Sequence, residues 1–136
     1  MERKEFIYQL GAGVAAFALS TCMYSCTKAN AGPPSNIDFT LDLTLSENAP
    51  LNRNGGFIYS NGIIVARTLS GSFIAVSKSC THESISVTYD GNNNRFFCPN
   101  HGSVFSNNGN VINGPASRPL KQYQTSLNNS SLRVFT

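Results

Sequence analysis

Fifteen residues separate Cys80-Thr81-His82 from Cys98-Pro99-Asn100-His101. The chain has 136 residues, with 4 Cys and only 2 His, so both histidines stand beside a cysteine. Each pair offers one thiolate and one imidazole, a soft and borderline donor set that excludes Ca²⁺ and Mg²⁺. Zinc sites of the Cys₂His₂ type usually pair Cys with Cys and His with His, two or more residues apart. The single residue between Cys80 and His82, and the mixed pair Cys98 and His101, match that spacing poorly. A disulfide between Cys80 and Cys98 is the other alternative, and it leaves the two neighbouring histidines without a role.

The elements that must position these residues read as strands. Residues 37–45 alternate: Ile37, Phe39, Leu41, Leu43 and Leu45 on one side, Asp38, Thr40, Asp42 and Thr44 on the other. Period two marks a half-buried strand. Short β-rich runs follow at 57–59, 63–69, 73–76, 85–89, 95–97, 104–105, 111–112, 122–127 and 132–135, separated by turn residues such as Asn61-Gly62 and Asn107-Asn108-Gly109-Asn110. No segment keeps a helical period. The pattern predicts an all-β domain over residues 37–136, a small antiparallel sandwich or barrel, with the two Cys/His pairs on loops between strands. One domain is also what 136 residues accommodate.

Composition removes other classes. The net charge is only +3, and the basic residues (Arg53, Arg67, Lys78, Arg95, Arg118, Lys121, Arg133) are scattered, so no nucleic-acid footprint is present. No glycine-rich phosphate loop accompanies them.

The pattern C-x-H followed by C-x-x-H resembles the Rieske family. The continuation over residues 98–120, CPNHGSVFSNNGNVINGPASRPL, is similar to that family's second cluster loop, hairpin and Gly-Pro-rich covering loop. The resemblance implies one 2Fe-2S cluster, with Cys80 and Cys98 on the buried iron and His82 and His101 on the outer one. It also implies that Ser103 hydrogen-bonds a bridging sulfide and that Gly114-Pro115-Ala116 covers the cluster. The implied function is one-electron transfer to a redox partner, a cytochrome or a larger oxidoreductase.

Departures from that family's quinol-oxidising subunits are specific. Those subunits carry one further Cys in each loop, joined as a disulfide, where this chain has Ile85 and Asn100. The Tyr expected two residues after Ser103 is Phe105, and the apolar residue after the first His is Glu83. These features fit the ferredoxin-like branch better, with the Rieske subunit of a quinol-oxidising cytochrome bc-type complex as the alternative. An oxygenase catalytic subunit needs a second iron on two His and a carboxylate, and both histidines here are already committed.

Residues 1–25 read as a signal sequence or membrane anchor. Arg3 and Lys4 precede an uncharged stretch from residue 6 to 27. The start RKEFI resembles a twin-arginine export signal, and the segment before Cys26 resembles a bacterial lipoprotein cleavage site, with Cys22 as the competing choice. An uncleaved anchor is the alternative. Residues 26–36, with Pro33-Pro34, read as an extended linker. Either reading tethers the domain to a membrane on its extracytoplasmic, periplasmic side.

Overall fold

The computed structural model describes residues 32–136, so the signal, Cys22 and Cys26 lie outside the described residues. Among the described residues, ten strands form two antiparallel sheets. The larger comprises β1 (Asp38–Asp42), β2 (Phe57–Ser60), β3 (Ile63–Arg67), β4 (Phe73–Ser77), β9 (Gln122–Asn128) and β10 (Ser131–Phe135), in the spatial order β1-β10-β9-β4-β3-β2. The smaller comprises β5 (Thr88–Asp90), β6 (Arg95–Phe97), β7 (Val104–Ser106) and β8 (Val111–Asn113), in sequential order. The all-β expectation holds.

Strand β3 explains why two cores form. Ile63, Ile64, Val65 and Ala66 are all fully buried, so both of its faces are covered. Ile63 and Val65 join a core with Leu51, Tyr123, Leu132 and Val134. Ile64 and Ala66 join a second core with Val87, Phe96, Phe105, Leu120, Cys80 and Cys98. That second core lies under both Cys/His pairs. The β2–β3 hairpin turns on Asn61 (φ 51°) and Gly62 (φ 78°), the left-handed pair that matches strand twist.

Two runs depart from the sequence reading: of residues 85–89 only Thr88 and Tyr89 lie in a strand, Ile85 instead closing the Cys80 loop, and the first strand is shorter than its alternation. The alternation over 37–45 ends as a strand at Asp42, because Asp42 Oδ1 accepts from the Thr44 N–H at 2.9 Å and turns the chain. A 3₁₀ helix, Ser46–Asn52, follows and inserts Leu51 into the core, while Leu45 is left exposed. It is too short to show a helical period.

Residues 32–36 fall within the segment read as linker, and Pro34 lies against the domain. Its carbonyl accepts from Tyr123 Oη at 2.6 Å and from Lys121 Nζ at 3.2 Å. Burial pushes the Tyr123 phenol up from 10.0 to about 12. The folded state therefore holds this proton more tightly than the unfolded chain, and stability is expected to fall as pH rises from about 10 to about 12. Tyr123→Phe is expected to lose about 0.5–1.5 kcal/mol near neutral pH, from the lost hydrogen bond. It should also flatten the alkaline decline; urea unfolding at pH 7, 10 and 11.5 checks both effects.

Candidate metal centre

Each Cys/His pair sits at the tip of a turn whose backbone is closed on itself. In the first loop, Cys80 N–H donates to Ile85 O at 2.8 Å, Ile85 N–H to Glu83 O at 2.7 Å and Val87 N–H to Lys78 O at 2.7 Å. A bridge between Ser79 and Ser86 completes the link from β4 to β5. In the second loop, between β6 and β7, Cys98 N–H donates to Ser103 O at 2.8 Å and Gly102 N–H returns to Cys98 O at 3.0 Å. Gly102 has φ +76°, a conformation that favours a residue without Cβ.

The two loops meet. Cys80 (4% exposed) and Cys98 (1%) both belong to the second core and both are free, so no disulfide joins them. His82 and His101 are exposed, with ring centroids 5.1 Å apart at 84°. Two buried thiols thus lie beneath two solvent-facing imidazoles. This donor set fits a cluster held by two thiolates inside and two imidazoles outside.

Surrounding contacts hold the loops. Ser103 is fully buried, and its Oγ accepts from Ala116 N–H at 2.9 Å, which leaves the hydroxyl hydrogen to donate elsewhere. That bond pins the 114–116 segment over the second loop. Thr81 Oγ1 donates to Arg118 O at 2.6 Å, linking the first loop to the same segment. Phe105 is fully buried in the core that contains both cysteines and carries no polar atom.

The sequence reading missed one connection. Glu83 Oε1 lies 3.1 Å from His101 Nε2, and Asn100 Nδ2 donates to Glu83 Oε2 at 2.9 Å. With Nε2 so engaged, Nδ1 is the His101 nitrogen left for a metal. A groove of about 430 Å³ runs beside these loops, lined by Thr81, His82, Glu83 and Arg118 among others.

The domain model of the Rieske 2Fe-2S family matches residues 42–124, which include every residue of both loops. The chain belongs to the Rieske family. It is accordingly a protein of Rieske-type electron transfer that binds a single 2Fe-2S cluster. Among curated relatives, the cytochrome b6-f complex iron-sulfur subunit of Chlorobaculum thiosulfatiphilum is 29% identical over 98% of this chain and 75% of its own length. That of Trichodesmium erythraeum is 40% identical over 42% of this chain and 31% of its own length. Among solved structures, the cyanobacterial plasma membrane Rieske protein PetC3 from Synechocystis is 32% identical, with a TM-score of 0.55 over 65% of this chain and 93% of that one. The ferredoxin of carbazole 1,9a-dioxygenase from Nocardioides aromaticivorans shares the fold, with a TM-score of 0.54 at 20% identity over 76% of this chain and 97% of that one.

Proposed function

We propose that Cys80 and Cys98 hold one iron of the cluster and His82 and His101 the other, and that electrons enter and leave through the exposed imidazole edge. The observation that carries this reading is the pairing of two free, buried cysteines with two adjacent, exposed histidines. The bound cluster supplies a one-electron couple. The protein's part is to bury the thiolates among Phe96, Phe105 and Leu120, which excludes water from that side. It also presents the histidine rings to a partner. Ser103 supplies the hydroxyl donor toward the cluster, held in place by Ala116 N–H.

The same reading gives the chain a membrane tether outside the cytoplasm. Cys26 is its lipidated residue, residues 26–36 its linker, and a cytochrome or larger oxidoreductase its partner. The uncharged leader supports this. Among the described residues no helix is long and apolar enough to cross a membrane. Cys26→Ala is expected to abolish incorporation of labelled fatty acid and to move the protein from the membrane fraction to the soluble one. Label retained by that variant would transfer the lipid to Cys22.

The cytochrome b6-f relatives favour a second reading, a Rieske subunit of a quinol-oxidising complex. Co-purification of the tagged full chain with a b-type cytochrome would select it. Isolation with no b-type haem supports the independent carrier, which Glu83, Asn100 and Phe105 favour.

A further inference from the structure

We infer that Glu83 is a positioning residue: its carboxylate clasps the two loops and fixes the ring of His101. The inference rests on the ligand role proposed for His101. Glu83 stands on the first loop, three residues after Cys80, whereas Asn100 and His101 stand on the second. One carboxylate oxygen faces His101 Nε2 at 3.1 Å and the other accepts from Asn100 Nδ2 at 2.9 Å. Both oxygens of a single side chain are therefore spent on one neighbouring loop, and the two contacts grip consecutive residues. Such a two-point contact restrains rotation as well as separation, which one bond does not.

The loops need such a restraint at this point. The backbone bonds at Cys80 and Cys98 close each loop internally and do not join the two tips. Thr81 joins the first loop to Arg118, and Ser103 joins the second to Ala116, both on the side of the covering segment. Among the described residues, the Glu83 contacts are the side-chain hydrogen bonds that run directly from one Cys/His loop to the other. An imidazole that bonds a metal through one nitrogen is oriented by the partner of its other nitrogen. Glu83 supplies that partner across the loop gap.

The test uses the cluster-loaded full chain and four variants: Glu83→Gln, Glu83→Ala, Asn100→Ala and the double variant Glu83→Ala/Asn100→Ala. Two properties are read: the rate at which visible absorbance of the cluster is lost on mild heating, and the EPR linewidths of the reduced protein. Exposed charge-assisted contacts of this kind are worth a few-fold to tenfold each. Glu83→Ala is expected to lose cluster about three- to tenfold faster and to broaden the EPR lines, because the His101 ring then samples several orientations. Glu83→Gln retains one acceptor oxygen and should fall between wild type and Glu83→Ala in both properties. Asn100→Ala should quicken loss about two- to threefold. The double variant should match Glu83→Ala, since the Asn100 side chain acts through Glu83. Wild-type rate and linewidth in Glu83→Ala overturn the clasp, as do multiplying effects in the double variant. A wild-type protein without a cluster overturns the ligand assignment and the clasp with it, so the two failures are distinguishable.

Discussion

Cys98→Ser is expected to yield a protein without its cluster. Iron and acid-labile sulfide should each fall from about two per chain to none. In the proposed ligation the thiolate binds the iron, and a serine hydroxyl in its place stays protonated and hard, a poor match for iron bridged by sulfide. Cys98 is 1% exposed, and the Cys98 N–H and carbonyl already bond Ser103 and Gly102, so no other donor swings in to replace the thiol. Cys80→Ser should behave alike. Stability should drop as well, because the metal bonds add to the hydrogen bonds and shared core packing that otherwise hold the loops, and binding free energy is folding free energy when the site is unformed in the unfolded chain. Tyr123→Phe serves as the comparison: it alters a contact in the opposite core and should keep full cluster content. Full iron and sulfide in Cys98→Ser would contradict the assignment.

Phe105→Tyr is expected to raise the reduction potential. In the proposed ligation, two imidazoles in place of two anionic thiolates set the range at about −150 to +300 mV. Within it, donors to the sulfurs favour the reduced, more negative cluster. Ser103 is the donor proposed here: its Oγ accepts from Ala116 N–H, which leaves its own hydrogen for a sulfur. Phe105, buried in the same core as both cysteines, provides none. Glu83 adds a negative charge at the histidine edge, screened there by solvent. The wild-type potential should therefore lie low in the range. A phenolic donor at position 105 is worth about 1.5–3 kcal/mol to a localised charge. For one electron that corresponds to at most about 60–130 mV, less where the charge is delocalised over the cluster. Voltammetry of the purified chain decides the matter. A potential near the top of the range, or an unchanged one in Phe105→Tyr, would refute the hydrogen-bond account.

The parts of this molecule that were legible in sequence are those with a short repeat or a fixed spacing. Asn61-Gly62 marked a hairpin because only such residues sit comfortably at positive φ, and both do. The C-x-H and C-x-x-H spacing marked two loops, and the structure brings their cysteines into one core. Residues 43–45 misled because Leu43 and Leu45 continue an alternation after the backbone has already turned at Asp42. Leu43 is buried from a turn and Leu45 is exposed, so burial there follows the local fold instead of the period. Glu83 was legible as a charge beside His82 but not as a partner of His101 and Asn100. Contacts between loop tips carry no sequence period, and their partners are 17 and 18 residues away.

The most direct test of two-thiolate, two-imidazole ligation exploits the chain's possession of only 2 His. The protein is produced with ¹⁵N-histidine in an otherwise unlabelled background, reduced, and examined by pulsed EPR for nitrogen hyperfine coupling. Strong couplings from two histidine nitrogens that convert from ¹⁴N to ¹⁵N patterns on labelling are the predicted result, with one set lost in His101→Cys and the other in His82→Cys. A reduced spectrum with no strong coupling to labelled nitrogen would contradict it.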